Sequence, residues 1–189
     1  MFAVPEPLMY SEKFGLYQGE VYVVEEPRPE LFFDIFTEAV IQGIRTLLLT
    51  REFPERVRRS YNPQGATVLW LTNVLGKDRI QPTKLGVILN KIITFPDDKP
   101  SLIMLDGIEY LINQNGFDAI VSLINNARDQ VIIKNSVMVV SMDPDTMDLK
   151  ERALLERNMQ LIRNEAGSGT VLSLEAGVVK VKKMPGHGI

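Results

Sequence analysis

Four side chains stand where a sheet of parallel strands would present them for chemistry. Arg51 and Glu52 directly follow the apolar run RTLLLT (45–50), and Asp106 and Glu109 lie at and just beyond the end of SLIML (101–105). Continuous apolar runs bounded by turn residues suit strands covered on both faces, and open α/β sheets bind ligands beyond the carboxyl ends of such strands. There Asp106 has the chemistry of a magnesium-side carboxylate, and Glu109, three residues on, would make it a two-carboxylate metal or acid/base pair. The same spacing also describes an ordinary helix start. Asp106 would then cap the helix, with Glu109 as its Asp-x-x-Glu capping-box partner, an arrangement that needs no ligand.

Arg51, Arg56, Arg58 and Arg59 make one basic cluster, with Phe53, Tyr61 and Trp70 close by in sequence. A nucleic-acid groove with stacking aromatics would look similar. Phe53, Val57 and Tyr61, however, recur as the buried stripe of a short helix, which puts the arginines on its solvated side. Asp143-Pro144-Asp145 and Asp97-Asp98 resemble calcium loops only loosely, and turn or cap roles suffice for them, so no metal site is expected.

A phosphate cradle needs glycines for close backbone approach, a lysine for the β/γ charge and a hydroxyl for magnesium. After the first apolar run, EVYVVEE (20–26), the chain instead continues Pro27-Arg28-Pro29-Glu30-Leu31. Carboxylates would repel phosphate, and each proline removes an N–H donor. Gly167-Ser168-Gly169 follows a helical pattern, and Gly76-Lys77-Asp78 lacks a preceding glycine at the needed spacing. No nucleotide-binding residue, catalytic residue or cofactor is expected.

The totals narrow the field further. The chain has 189 residues, enough for one well-buried core, with a formal charge of −3 that rules out a generally basic nucleic-acid surface. It has no cysteine, which removes disulfides, thiolate metal sites and cysteine nucleophiles, and its one histidine, His187, lies in Pro-Gly-His-Gly near the end. No apolar run approaches the roughly 18 residues of a membrane span, and the N-terminus lacks a basic region followed by an apolar one, so a cytoplasmic protein is expected.

The elements that must position these residues alternate. Residues 1–18 read as an arm packed on the body. Strands are expected at 20–26, 45–50, 67–72, 102–106 and 137–142, with helices over 29–42, a short one entered through Arg51-Glu52-Phe53-Pro54, one from Pro82, and two over 108–113 and 117–131. Residues 73–81 read as a polar loop. A last helix capped by Asp145 would place Leu155, Met159 and Ile162 on one face and close at Gly167. The ending 170–183 alternates as a hairpin around Ala176-Gly177, with a longer loop or a bulge at Gly177. The expected organisation is the arm (1–18), a three-layer α/β domain (19–166) with a mostly parallel sheet and right-handed crossovers, and a C-terminal hairpin and tail (167–189).

The pieces LLLTREFPERVRR (47–59), VLWLTN (68–73), LIMLDGIEYLINQNGF (102–117) and VMVVSMDPDTMDLKERALLER (137–157) resemble the archaeal domain-of-unknown-function family 835 over roughly residues 20–160. The order of elements is also similar to RecA/KaiC-like ATPases. By that likeness Glu52 stands where a catalytic glutamate stands and Asp106 where a Walker-B aspartate does, while Glu25–Leu31 replaces the phosphate-binding loop. The resemblance implies an ATPase-shaped scaffold without the ATPase: a non-catalytic RecA-like module acting through a protein partner or self-association, in a regulatory or assembly role. Two alternatives remain open. One is an enzyme or nucleotide binder using an unorthodox site of Arg51, Glu52, Asp106 and Glu109. The other is nucleic-acid binding through Arg51–Arg59.

Overall fold

The computed structural model describes residues 14–96, 99–165, 172–175 and 178–182. Six helices and nine strands alternate along them: β1 (Val21–Glu25), α1 (Glu30–Ile41), β2 (Arg45–Thr50), α2 (Pro54–Tyr61), β3 (Thr67–Leu71), β4 (Arg79–Ile80), α3 (Leu85–Ile93), β5 (Ser101–Leu105), α4 (Ile108–Asn115), α5 (Phe117–Ile133), β6 (Val137–Met142), α6 (Leu149–Glu156), β7 (Gln160–Glu165), β8 (Leu172–Glu175) and β9 (Val178–Lys182). They form one sheet in the order β4-β3-β2-β5-β6-β1-β7-β9-β8. Every neighbouring pair is parallel except the outermost, where β8 runs antiparallel to β9 as a hairpin.

The pleat sorts consecutive apolar residues onto two faces. Leu47, Leu49, Ile103 and Leu105 meet Ile88, Ile92, Leu111, Ile124 and Leu155 of α3–α6 on one face. Leu48, Leu102 and Met104 meet Phe32, Ile35 and Phe36 of α1 and Val57 of α2 on the other. The result is a three-layer RecA-like α/β domain. The crossovers that carry α1 and α2 pass over one face, and those that carry α3–α6 pass over the other. The sheet therefore has two places, β2/β5 and β1/β6, where adjacent strands send their chains to opposite sides. Crevices for ligands open at the carboxyl ends of strands at such points.

Phe14 and Leu16, from the end of the expected arm, are buried beside α1; residues 1–13 of that arm lie outside the described residues, as do Asp97-Asp98, the hairpin turn at 176–177 and the tail with His187.

Three boundaries differ from the sequence expectation. The loop at 73–81 contains β4, whose short run carries only Ile80 into the core. Asp145 does not cap the last helix. Asp143 caps a 3-10 turn over Pro144–Thr146, and Asp148 with Glu151 forms the capping box of α6. That helix stops at Glu156, and β7 occupies what reads as its last turns. Leu155, Met159 and Ile162 do recur at helical spacing. Yet Leu161 and Ile162 are both buried, on opposite faces of the sheet, a demand that a strand covered on two sides meets.

Candidate functional site

At the exit of β1 the chain turns through Glu26, Pro27, Arg28 and Pro29 into α1. The helix has no side-chain cap from Pro29, the residue at its N-cap. Glu26, only 5% exposed, supplies the missing acceptor from further back: its Oε2 accepts the Leu31 amide and its Oε1 the Phe32 amide, each at 2.9 Å. One carboxylate thus satisfies two of the orphan donors at the positive end of the helix dipole. Burial pushes the Glu26 carboxyl above its usual range, and the two amide bonds offset part of that rise.

Glu25 is buried beside it. Arg152 of α6 reaches across, donating from Nε to Glu25 Oε1 at 2.8 Å and from Nη2 to Oε2, and it also holds Glu156. Desolvation, followed by the nearby Glu156, raises the Glu25 carboxyl.

At the β2/β5 crevice, Asp106 is 9% exposed. Its Oδ2 accepts the Thr50 hydroxyl at 2.7 Å and the Arg51 amide at 3.3 Å, and Thr50 Oγ1 in turn accepts the Glu52 amide at 2.9 Å. Burial is the main cause that raises the Asp106 carboxyl. Asp106 therefore ties β5 to β2 and is not the cap of α4. Gly107 takes the cap position at φ +88°, and a Cβ there would run into Arg51 Cγ. The capping-box reading also fails at its other end, because Glu109 Oε1 accepts the Asp143 amide at 2.6 Å. Burial raises Glu109 as well. The sequence shows the acid pair but not the positive φ that shifts the cap by one residue.

The Arg51 guanidinium lies 3.8 Å from the Tyr110 ring centroid and donates to the Leu71 carbonyl. The Trp70 indole donates to the Arg51 carbonyl at 3.2 Å, and Phe53 meets Trp70 edge-on with ring centroids 5.2 Å apart. On α2, Arg56 pairs with Glu52 at 3.3 Å and Arg58 with Glu55 at 2.9 Å, while Arg59 is exposed.

The seven residues singled out in the sequence thus lie at one end of the sheet and on the adjoining helix. Arg51, Glu52 and Asp106 are linked through Thr50 and the backbone, whereas Glu109 turns to Asp143, and Arg56, Arg58 and Arg59 are exposed. A cleft of about 590 Å³ takes Arg58 from this set, and one of about 400 Å³ takes Glu109. Among the described residues no group of three or more His, Cys, Asp or Glu could hold a metal ion, and no helix is long and apolar enough to cross a membrane. Sequence reasoning noted Glu25 and Glu26 only as charges hostile to phosphate. It did not find Arg152, 127 residues from Glu25, and only a solved arrangement of β1 against α6 reveals that pair.

A family model described as "Protein of unknown function (DUF835)" matches residues 26–159. No curated protein matches the sequence. Among solved structures, the chain is similar to the Pyrococcus horikoshii OT3 protein PH0250, with a TM-score of 0.58 at 13% identity over 95% of this chain and 94% of that one. It is also similar to the flagellar accessory protein FlaH from Methanocaldococcus jannaschii, with a TM-score of 0.53 at 12% identity over 89% of this chain and 79% of that one. These likenesses establish the RecA-like fold.

Proposed function

We propose that this chain, which belongs to the DUF835 family of proteins of unknown function, is a non-catalytic RecA/KaiC-like module that acts through protein contacts in a regulatory or assembly role. The observation that carries this reading is the Glu26 carboxylate on the Leu31 and Phe32 amides. Helix N-termini after a strand of this kind are ready-made anion sites. In this chain the anion is already built in. A nucleotide phosphate would have to displace a buried carboxylate held by two hydrogen bonds. It would also enter beside Glu25 and Glu30, with Pro27 and Pro29 offering it no N–H.

The candidate set beyond β2 and β5 supports the same reading. Asp106 is occupied by Thr50, Glu109 by the Asp143 amide, and Arg51 by Tyr110 and the Leu71 carbonyl. Asp106, the acid that an ATPase of this shape would set against the metal, thus ties β5 to β2, while Glu52, its counterpart for water, pairs with the exposed Arg56.

The test is thermal unfolding with and without millimolar Mg-ATP, alongside phosphate release. The expected outcome is an unchanged melting temperature and no hydrolysis above buffer. An ATP-dependent rise in melting temperature would overturn the reading, because a ligand that binds only the folded state must stabilise it.

A further inference from the structure

Strand β4 pairs only with Trp70 and Leu71. Among the described residues, the first three residues of β3, Thr67–Leu69, have no strand on that flank. Trp70 and Thr72 direct their amides toward β4, bonding the carbonyls of Asp78 and Ile80 at 2.9 and 3.0 Å. By the two-residue period of a strand, the Val68 N–H and C=O point the same way, past the beginning of β4. The cleft of about 590 Å³ opens beside them. It is lined by Thr67 and Val68 of β3, by Phe53, Pro54 and Arg58, and by Lys77, Asp78 and Arg79.

The Val68 N–H and C=O, flanked by an Ala66 N–H already given to the Pro63 carbonyl, form a short sheet-edge template for one kind of ligand, another extended chain. Charge decides which kind. Residues 51–79 hold six Arg and Lys against three Asp and Glu, a cationic surplus of three in a chain whose total is −3. The cleft itself is lined by Arg58, Lys77 and Arg79 against Glu55 and Asp78, and because Arg58 and Glu55 pair with each other it keeps a surplus of one cation. Phe53, Pro54 and Val68 add an apolar wall for the side chains that alternate with the charged ones.

We infer that the free flank of β3 is a docking site for an extended acidic segment of a partner protein, which adds a short strand there and sets its carboxylates against Lys77 and Arg79. This names the surface and the partner chemistry for the contact role proposed above, and rests on it.

The test uses the whole chain and two blocked hexapeptides, one alternating valine with glutamate and one alternating valine with lysine, followed by amide NMR. The glutamate peptide is expected to shift the amides of residues 66–70 and to bind about tenfold or more tighter than the lysine peptide, with an affinity that falls as salt rises. Val68→Pro removes the outward N–H at a position where an edge strand tolerates proline, and it should weaken binding by about tenfold. Lys77→Glu with Arg79→Glu should do the same, and serves if Val68→Pro does not fold.

Equal binding of both peptides, shifts confined to other residues, or no binding would overturn the inference. So would a dimer that Val68→Pro dissociates, which would make a second copy the occupant, and so would preference for an oligodeoxythymidylate over the glutamate peptide. The ATP measurement is separate. Peptide failure with no response to ATP leaves the non-catalytic reading standing, and a response to ATP sinks that reading whatever the peptide does.

Discussion

Arg152 of α6 and Glu25 of β1 form a two-pronged ion pair at the carboxyl end of the sheet, with the carboxylate side chain only 3% exposed and the guanidinium side chain 25% exposed. The pair fixes the last crossover helix onto the first strand of the domain, because planar guanidinium matches carboxylate in a way that a lysine ammonium does not.

Arg152→Met should therefore leave a buried carboxylate without its main cation. The expected loss is about 2–4 kcal/mol in urea unfolding, less than a fully buried pair because the arginine partly meets solvent. Arg152→Lys should lose less. Adding Glu25→Gln to Arg152→Met should recover most of the deficit, since the double change removes the uncompensated charge.

Glu26→Ala should unfold at lower denaturant by an amount corresponding to about 2–4 kcal/mol, because two buried amides at the start of α1 lose their acceptor. Glu26→Gln keeps one acceptor oxygen and should lose roughly half as much. Far-ultraviolet circular dichroism should show fraying limited to that helix. A silent Glu26→Ala variant would remove the structural basis for regarding this anion site as filled.

Gly107→Ala combines a left-handed backbone, φ +88°, with a methyl group aimed at Arg51 Cγ. A loss of about 1–3 kcal/mol is expected. Arg51 should also leave the Tyr110 ring, a change readable in the tyrosine region of the near-ultraviolet dichroism. Gly43→Ala shares the positive φ, +68°, but meets nothing within 4 Å. It should cost less, and comparing the two separates strain from collision.

Burial raises Glu25, Glu26, Asp106 and Glu109 above their ordinary values. A carboxyl whose folded pKa exceeds its unfolded one binds its proton more tightly in the folded state. Its contribution to stability is then fully present below the unfolded value, near 4 for such groups, and is lost as pH rises through the folded value. The protein should accordingly gain stability when acidified from neutrality toward that range, the reverse of the usual behaviour of paired surface carboxylates. Asp106→Asn and Glu26→Gln should each flatten the slope in urea titrations across this window.

The apolar strands β1, β2, β5 and β6 are legible in the sequence to within about a residue, because parallel strands buried on both faces leave uninterrupted runs. The failure at β7 has the same physics behind it. Its run is short, and Leu155, Met159 and Ile162 happen to repeat at helical spacing until the sheet claims Leu161 and Ile162 for its two faces. The absence of a phosphate cradle is equally legible, since Glu25, Glu26, Pro27 and Pro29 are adjacent in sequence. What fills it is not. The Glu26 bonds skip five and six positions across two prolines, and the Arg152 contact spans most of the domain. At Asp106 the sequence shows a carboxylate before a glycine, but the Thr50 hydroxyl that claims it belongs to a strand 56 residues earlier.

The position of β1 between β6 and β7 has a consequence for synthesis. A ribosome delivers this strand more than a hundred residues before either neighbour emerges, so its two flanks stay open throughout translation of the intervening chain. Contacts so distant in sequence close late and slowly. The nascent polypeptide thus carries a sticky, unfinished ribbon for most of its time at the exit tunnel, and chaperone demand should peak in that interval and fall once Glu165 has cleared it.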